Sequence, residues 1–259
     1  MSPSSPDFGL AASDYADARL GFPEIFFDRL ATRGAFRGGD HVVDLGTGTG
    51  TVARGLARRG CQVVGVDISE ALLTEARRLA NAEGLHITWR CAPAEHTGLA
   101  EASAHVVLAG QCWHWFDRPA AAAEAFRLLV PGGRAILAHF DFISSAPGLV
   151  ADTLGLVHCH GRWPEETSLG IDGIYPRWLA DLAAAGFTKI ESSSWDIAAR
   201  YSLASWRRRM HASAALCDLD ASALAAFDVA FDAEVAPRHP EPLSVPHRVF
   251  IVMGVKPLE

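Results

Sequence analysis

Short apolar runs alternate with amphipathic stretches from residue 41 to residue 139, which predicts an α/β fold on a doubly wound, mostly parallel sheet. Two further observations support that class. The apolar runs are almost unbroken, as strands covered on both faces must be. Residues 42–50, Val-Val-Asp-Leu-Gly-Thr-Gly-Thr-Gly, also join a buried-strand pattern to a glycine-rich turn and then a helix-like run.

The elements follow in order. Residues 1–14, rich in Ser, Pro and Asp, read as a frayed lead-in. Pro23 opens a helix from Glu24 to about Arg33, with Ile25, Phe26 and Leu30 as its apolar stripe. A turn at Gly38-Gly39-Asp40 leads into a strand at about 41–45, the glycine turn, and a helix to Arg59. A second strand, 61–66, ends at Asp67, and Ser69-Glu70 starts a helix to about Ala82. Strands are expected at Leu85–Arg90 and His105–Ala109, then an alanine-rich helix at about 119–130. Pro131-Gly132-Gly133 reads as the turn into a fifth strand, Arg134–His139.

After Phe140 the rhythm breaks. A helix is expected at about 148–160, then a Gly/Pro/Trp-rich loop, a helix at Pro176–Ala185 and a strand around 187–197. Helices at about 202–216 and 220–235 precede a closing strand, His247–Val255. The irregular middle reads as a lid or substrate-shaping insertion on one domain.

Bulk properties narrow the function. The 259 residues are 49% hydrophobic and 20% charged, which suits one large domain with a substantial core. A net charge of −7 argues against a surface that wraps nucleic acid. The dense basic cluster Arg207-Arg208-Arg209 reads as a solvated helix face. Cys61, Cys91, Cys112, Cys159 and Cys217 are scattered and odd in number, with no C-x-x-C pair, so reduced thiols in a cytoplasmic protein are expected. The first residues lack a signal pattern, and no apolar run reaches the ~18 residues that span a bilayer, so no membrane partner is expected.

The glycine turn allows three ligand classes. A P-loop needs Gly-Lys-Ser/Thr, and Gly50 is followed by Thr51-Val52. A dinucleotide fingerprint is G-x-G-x-x-G, whereas the spacing here is Gly46-x-Gly48-x-Gly50. Asp44 would sit close to a pyrophosphate, anion against anion. S-adenosylmethionine (SAM) has no phosphate and carries an ammonium and a sulfonium, so a carboxylate at the strand end suits it. Asp67 ends the second strand, where a carboxylate accepts bonds from both ribose hydroxyls, a role common to NAD and SAM sites. Ile68 beside it is placed to pack on an adenine face.

On these residues the chain resembles the class I SAM-dependent methyltransferases that act on small molecules. The matching segments are 42–50, Val-Val-Gly-Val-Asp-Ile-Ser at 63–69, Ala-Pro-Ala-Glu at 92–95, residues 105–117 and Leu-Leu-Val-Pro-Gly-Gly-Arg at 128–134. Trp113-His114-Trp115-Phe116-Asp117 resembles a subgroup that includes trans-aconitate-type enzymes, as does the lead-in at 14–23. The resemblance implies a seven-stranded Rossmann-like sheet whose antiparallel last strand inserts between strands five and six. It implies a single domain over 1–259: a cap at 1–35, a SAM-binding core at 36–140, a substrate-shaping insertion and C-terminal helices at 141–245, and the final strand at 246–259. It also implies site roles. Asp44, Gly46, Thr47, Gly48 and Gly50 would cradle the methionine end of SAM, Asp67 the ribose, and Ile68, Ala94 and Glu95 the adenine. Gln111 would lie near the methyl-bearing sulfur, and Tyr15 and Arg19 would close over the cofactor. One departure matters: many relatives carry Asp where Pro93 stands, so adenine recognition would fall to backbone atoms or Glu95.

Methyl transfer is an in-line displacement in which positioning supplies much of the rate. A base is needed only when the acceptor must lose a proton. His114 and His139, at the rim after strands four and five, are the candidates near the acceptor. The competing reading of His114 is a structural ring braced between Trp113 and Trp115; that of His139 is burial with a backbone partner. Asp141 would cap the following turn. His158-Cys159-His160 points to opposite sides of a helix, so no metal site is expected. Trp163, Tyr175, Trp178, Trp195 and Trp206, with Arg177 and His211, are core residues or the wall of an acceptor pocket. The expected partner is a small-molecule methyl acceptor, with no nucleic acid. Two alternatives stand beside this reading: an NAD(P)-type oxidoreductase and a non-catalytic SAM-binding protein.

Overall fold

The computed structural model describes residues 20–161, 171–213 and 215–258. Seven strands form one sheet: β1 His41–Leu45, β2 Gln62–Asp67, β3 Thr88–Cys91, β4 Ala104–Gly110, β5 Leu129–Phe142, β6 Thr188–Tyr201 and β7 Leu243–Val255. Their order is β3-β2-β1-β4-β5-β7-β6. The first five strands run parallel, and β7 lies antiparallel between β5 and β6, as expected.

Eight α-helices complete the described chain: α1 Glu24–Thr32, α2 Thr51–Ala57, α3 Glu70–Ala82, α4 Arg118–Leu128, α5 Leu149–His160, α6 Arg177–Ala184, α7 Leu203–His211 and α8 Ala221–Ala230. Their starts are written locally. Ser69, Asp117 and Asp220 accept from backbone N–H groups of the first turns of α3, α4 and α8, and Ser202 with Ser205 forms a capping box on α7. Among the described residues no helix is long and apolar enough to cross a membrane.

The sheet has a core on each face. Phe26, Phe27 and Leu30 of α1 and Leu56 of α2 pack with Val42, Val63 and Ile136 on one side. Ala121, Ala125 and Leu128 of α4 and Trp178 and Leu182 of α6 pack with Val43, Val107 and Leu137 on the other. The alternation of inward side chains along each strand sends neighbours to opposite cores.

Some boundaries differ from the sequence expectation. β3 begins at Thr88 rather than Leu85, because it is an edge strand and pairing starts only where Thr88 meets Val64. Pro131-Gly132-Gly133 is not a turn before β5 but a bulge within it: Leu129 pairs with Ala104 and Arg134 with Val106, and Gly132 takes φ +78°. The backbone of Lys256 bonds both glycines and holds the bulge. α7 stops at His211, and α8 gives way to a single wider π-helical turn at Phe231–Val235.

The largest difference is strand length. β5, β6 and β7 have 14, 14 and 13 residues, against four to seven in β1–β4. Their extra turns of strand carry Ala199, Tyr201, Leu243 and Val245 beyond the sheet's main body. There they meet α5, α7 and α8 in a third core around Trp206, Phe227 and Phe231. Trp206 is fully buried and donates its indole N–H to Thr153 Oγ1 at 3.0 Å. The described residues of this region thus form a packed layer with its own core.

Candidate functional site

The carboxyl ends of β1, β2, β4 and β5 lie along one rim of the sheet. The chain order jumps from β3-β2-β1 to β4 there, and the crevice at such a reversal is where ligands enter open α/β sheets.

The glycine turn is built by backbone geometry. Gly46, Gly48 and Gly50 have φ of +62°, +56° and +78°, which a side chain resists. Their surroundings differ. A Cβ on Gly46 would lie 2.7 Å from Cys112 Sγ and 2.8 Å from Phe116 Cζ, whereas a Cβ on Gly48 would meet nothing within 4 Å. Gly46 is therefore required by packing, and Gly48 borders open space. The expected consequence separates two variants. Gly46→Ala loses about 3 kcal/mol of stability from clash and backbone strain together. Gly48→Ala loses about 1 kcal/mol, from backbone strain alone, yet weakens the ligand. Thermal melts of both, beside ligand titrations, check the contrast.

Two carboxylates flank the turn. Asp44 is 1% exposed, and Thr47 donates its hydroxyl to Asp44 Oδ2 at 2.6 Å. Burial pushes the Asp44 carboxyl up to about 7, against the lowering effect of the Thr47 bond. Among the described residues no cation pairs with it; the nearby Asp67 raises it further. Asp67 is also buried, and desolvation raises its pKa as well. Its Oδ2 accepts from Gly48 N–H at 2.8 Å and its Oδ1 from Ser69 N–H at 2.9 Å. Asp67 thus ties the glycine turn to the start of α3, and each oxygen keeps a lone pair for a ligand hydroxyl. Ile68, beside it, is 75% exposed, an apolar platform next to a polar anchor. Arg54, the described cation of the adjoining helix, turns away to Glu83 and the Thr49 carbonyl. A seat of two carboxylates fits a cationic ligand with vicinal hydroxyls and repels a pyrophosphate.

The remaining expected residues are partly redirected. Ala94 is buried in the core, and Glu95 accepts from Asp117 N–H at 2.8 Å, so Glu95 holds the cap of α4. Gln111 has φ +70° and spends its side-chain amide on both backbone groups of Phe140: Nε2 donates to the Phe140 carbonyl, and Oε1 accepts from Phe140 N–H. It extends the β4–β5 ladder by one rung and bounds the rim. Tyr15 and Arg19 lie outside the described residues, as does Trp163.

His139 is 6% exposed, with Nε2 3.1 Å from the Tyr175 hydroxyl. Tyr175 stacks on Trp178 at 4.3 Å between ring centroids. His114, half-buried, lies 6.1 Å from both His139 and Tyr175. The structure therefore brings the two expected histidines together, within an aromatic cluster on the α6 side. Trp113 anchors that cluster by donating to Asp181 at 3.0 Å, beside Arg118.

The single aromatic wall drawn from Tyr175, Trp178, Trp195 and Trp206 does not form. Trp195 faces Arg29 on the α1 side, and Trp206 fills the third core. Arg177 is exposed, and His211 is bonded to Asp228 at 2.7 Å. Arg207 pairs with Asp232, as a surface arginine does, but Arg209 is 4% exposed and holds both oxygens of Asp141 through one nitrogen. The arginine run is thus not wholly a solvated face. Arg209 and Asp141 line a small recess of about 10 Å3, room for about one water, with Leu20, Gln111, Phe140, Tyr201 and His247. Sequence reasoning did not anticipate that Arg209, Tyr201 and His247 meet there.

The sheet order and its antiparallel β7 are those of the solved methyltransferase structures this chain resembles. Comparison with known proteins agrees: residues 43–137 match the methyltransferase domain family. An uncharacterised methyltransferase of Mycobacterium tuberculosis is 38% identical over 131 residues, 50% of each chain. The chain thus spans about half the length of the curated relatives it matches first. A type II methyltransferase assignment from Anaeromyxobacter dehalogenans has a solved structure with TM-score 0.63 and 24% identity, covering 93% of this chain and 98% of that one. Phosphoethanolamine N-methyltransferase 2 of Haemonchus contortus, solved with phosphomonomethylethanolamine and S-adenosylhomocysteine, has TM-score 0.59 and 17% identity, covering 96% of this chain and 57% of that one.

Proposed function

We propose that this protein is a SAM-dependent methyltransferase that moves a methyl group to an O, N or C atom of a small metabolite by direct in-line displacement. The observation that carries this reading is Asp44, a buried carboxylate beneath a glycine turn, with no described cation of its own. The cofactor's ammonium and sulfonium supply the missing positive charge, and bound SAM supplies an activated methyl group. Asp67 receives the ribose hydroxyls, Ile68 and Ala94 border the adenine, and the turn at Gly46–Gly50 admits the methionine end. With Pro93 lacking a backbone donor and Glu95 committed to Asp117, adenine recognition rests on shape and backbone atoms.

The segment Trp113–Asp117 supports a place in the trans-aconitate-type subgroup. The chain acts as one unit, with a cap at 1–35, a cofactor core at 36–140 and an acceptor-shaping layer at 141–245. Its odd, scattered cysteines favour the cytoplasm. A small metabolite without nucleic acid or membrane suits the acidic charge.

Calorimetry tests the cofactor half. Wild type binds SAM, and Asp67→Ala weakens it by on the order of 100-fold, since two ribose bonds to a charged acceptor are lost. The same variant melts lower, because Gly48 and Ser69 lose their acceptor. Absence of binding by wild type, or undiminished binding by Asp67→Ala, contradicts the proposal.

A further inference from the structure

Beneath the glycine turn, one row of the sheet lacks a side chain. The parallel register sets Asp44 of β1 beside Gly65 of β2, and Gly65 beside Trp89 of β3. In-register residues of neighbouring strands project to the same face. Only a glycine therefore separates the buried carboxylate from the indole. The space over that glycine is already taken. A Cβ on Gly65 would lie 2.6 Å from Trp89 Cζ3 and 3.0 Å from Thr47 Cγ2. A Cβ on Gly50 would lie 2.6 Å from Trp89 Cη2 and 3.3 Å from Ala76 Cβ. The Trp89 ring thus lies across β2, shares its space with the Thr47 methyl, and ends against the last glycine of the turn, where α2 begins.

Both contacts bear on the cofactor seat. The Thr47 hydroxyl donates to Asp44 Oδ2 at 2.6 Å, so a ring beside the Thr47 methyl limits how that side chain can turn. Gly50, at φ +78°, donates its N–H to the Thr47 carbonyl at 2.8 Å. β3 is the edge of the sheet, so the ring is also the first side chain between Asp44 and solvent on that side. On the β4 side Cys112 and Phe116 crowd Gly46, and the Cys112 thiol donates to the Leu45 carbonyl at 3.1 Å. A half-buried tryptophan also adds to the core in the ordinary way. Two glycines shaped to its ring are more than ordinary packing requires.

Building on the methyltransferase reading, we infer that Trp89 is a positioning residue of the cofactor seat: its ring, laid over Gly65 against Gly50, fixes Thr47 on Asp44 and keeps water from the carboxylate. It acts through Thr47, Gly50 and Asp44. Burial holds the Asp44 carboxyl at about 7. The described titratable groups around it are Asp67 of β2, whose charge raises it, the Cys112 thiol after β4, kept neutral by burial, and Arg54 of α2, turned to Glu83. Trp89 carries no charge, so its loss acts on Asp44 through solvent access, which lowers the pKa.

The test compares Trp89→Leu, Gly65→Ala, their double variant and Ile87→Ala in the full chain. Ile87 packs against the same core beside β3 and serves as the packing control. Calorimetry with SAM at about pH 8 should show roughly tenfold weaker binding for Trp89→Leu and for Gly65→Ala, the scale of one lost hydrogen bond to a charged group. The double variant should bind more tightly than Gly65→Ala alone, because the added methyl then has room where the ring was. In Trp89→Leu the gain in affinity from about pH 6 to about pH 8 should shrink from about tenfold to less than about twofold, since Asp44 is already ionised at the lower pH. Carbon-13 NMR of the Asp44 carboxyl without cofactor should show the same change, a titration lower in Trp89→Leu and unmoved in Ile87→Ala. Trp89→Phe, which keeps an aromatic ring, should fall between wild type and Trp89→Leu in both readouts, and decides the matter if Trp89→Leu does not fold. Ile87→Ala should melt lower yet keep SAM affinity and its pH dependence. The inference is overturned by wild-type SAM affinity in Trp89→Leu, by additive losses in the double variant, by an Asp44 titration that ignores Trp89, or by Ile87→Ala reproducing the Trp89→Leu effects. Absence of SAM binding by wild type overturns the methyltransferase reading itself, and the carboxyl titration then judges Trp89 alone.

Discussion

SAM should bind about tenfold more weakly at about pH 6 than at about pH 8, and Asp44→Asn should abolish that dependence. The Asp44 carboxyl of the protein alone titrates at about 7, because burial disfavours its charge. A bound cation favours the carboxylate, so the pKa falls in the complex and binding releases a proton wherever Asp44 begins protonated. Affinity therefore falls as pH drops through 7, by at most about tenfold per unit. Calorimetric enthalpies near pH 6 should follow the ionisation heat of the buffer, and those near pH 8 should not. Asp44→Asn removes the charge that meets the cofactor, and affinity drops by on the order of 100-fold at about pH 8.

The same group sets an opposite trend in stability. A carboxyl whose folded pKa lies above its unfolded value stabilises the fold in acid, and that contribution is lost as pH rises from about 4 to about 7. The full shift corresponds to about 4 kcal/mol. Without cofactor, Asp44→Asn should melt higher than wild type at about pH 8 and close to it at about pH 5. A variant that gains stability while losing its ligand is the signature of a residue held against packing for the sake of binding.

The second large effect belongs to Arg209. Its guanidinium is buried, holds Asp141 and lies over the Phe142 ring at 5.3 Å. Arg209→Met keeps the aliphatic stem but removes the guanidinium that holds both Asp141 oxygens. Breaking a buried pair from one side costs about 3 kcal/mol, or roughly 10 °C in melting temperature for a domain of this size. Asp141→Asn in the Arg209→Met background should recover more than half of that loss, because both members of the ion pair are then neutral. Thermal melts of the two single variants and the double variant close the cycle. Purely additive losses would show that the pair is not coupled.

These residues also mark where sequence reading succeeds. The cofactor seat lies in one continuous stretch plus the end of the next strand. Asp44, the three glycines and Asp67 are fixed relative to one another by local backbone and by the parallel register of β1 on β2. Spacing alone therefore exposes them. The recess beside Gln111 draws Asp141 from β5, Tyr201 from β6, Arg209 from α7 and His247 from β7. Only the antiparallel register that sets Phe142 opposite His247, and Tyr201 opposite Leu243, brings them together. No periodicity in the sequence encodes that meeting. Arg209 was further disguised by its two arginine neighbours, since charge runs usually mark solvent and one turn of helix suffices to bury the third. Gln111 and Glu95 were well placed along the chain, but their side chains are spent on the backbone of Phe140 and Asp117, which position alone does not reveal.

The central claim, that the glycine turn seats a cationic, phosphate-free cofactor on Asp44 and Asp67, is tested most directly by calorimetric titration of wild type and Asp44→Asn with SAM and with NADH at about pH 6 and about pH 8. The account predicts SAM binding that strengthens about tenfold toward pH 8 in wild type, a weak and pH-independent response in Asp44→Asn, and no heat from NADH. NADH binding, or SAM binding that ignores both pH and Asp44, would contradict it.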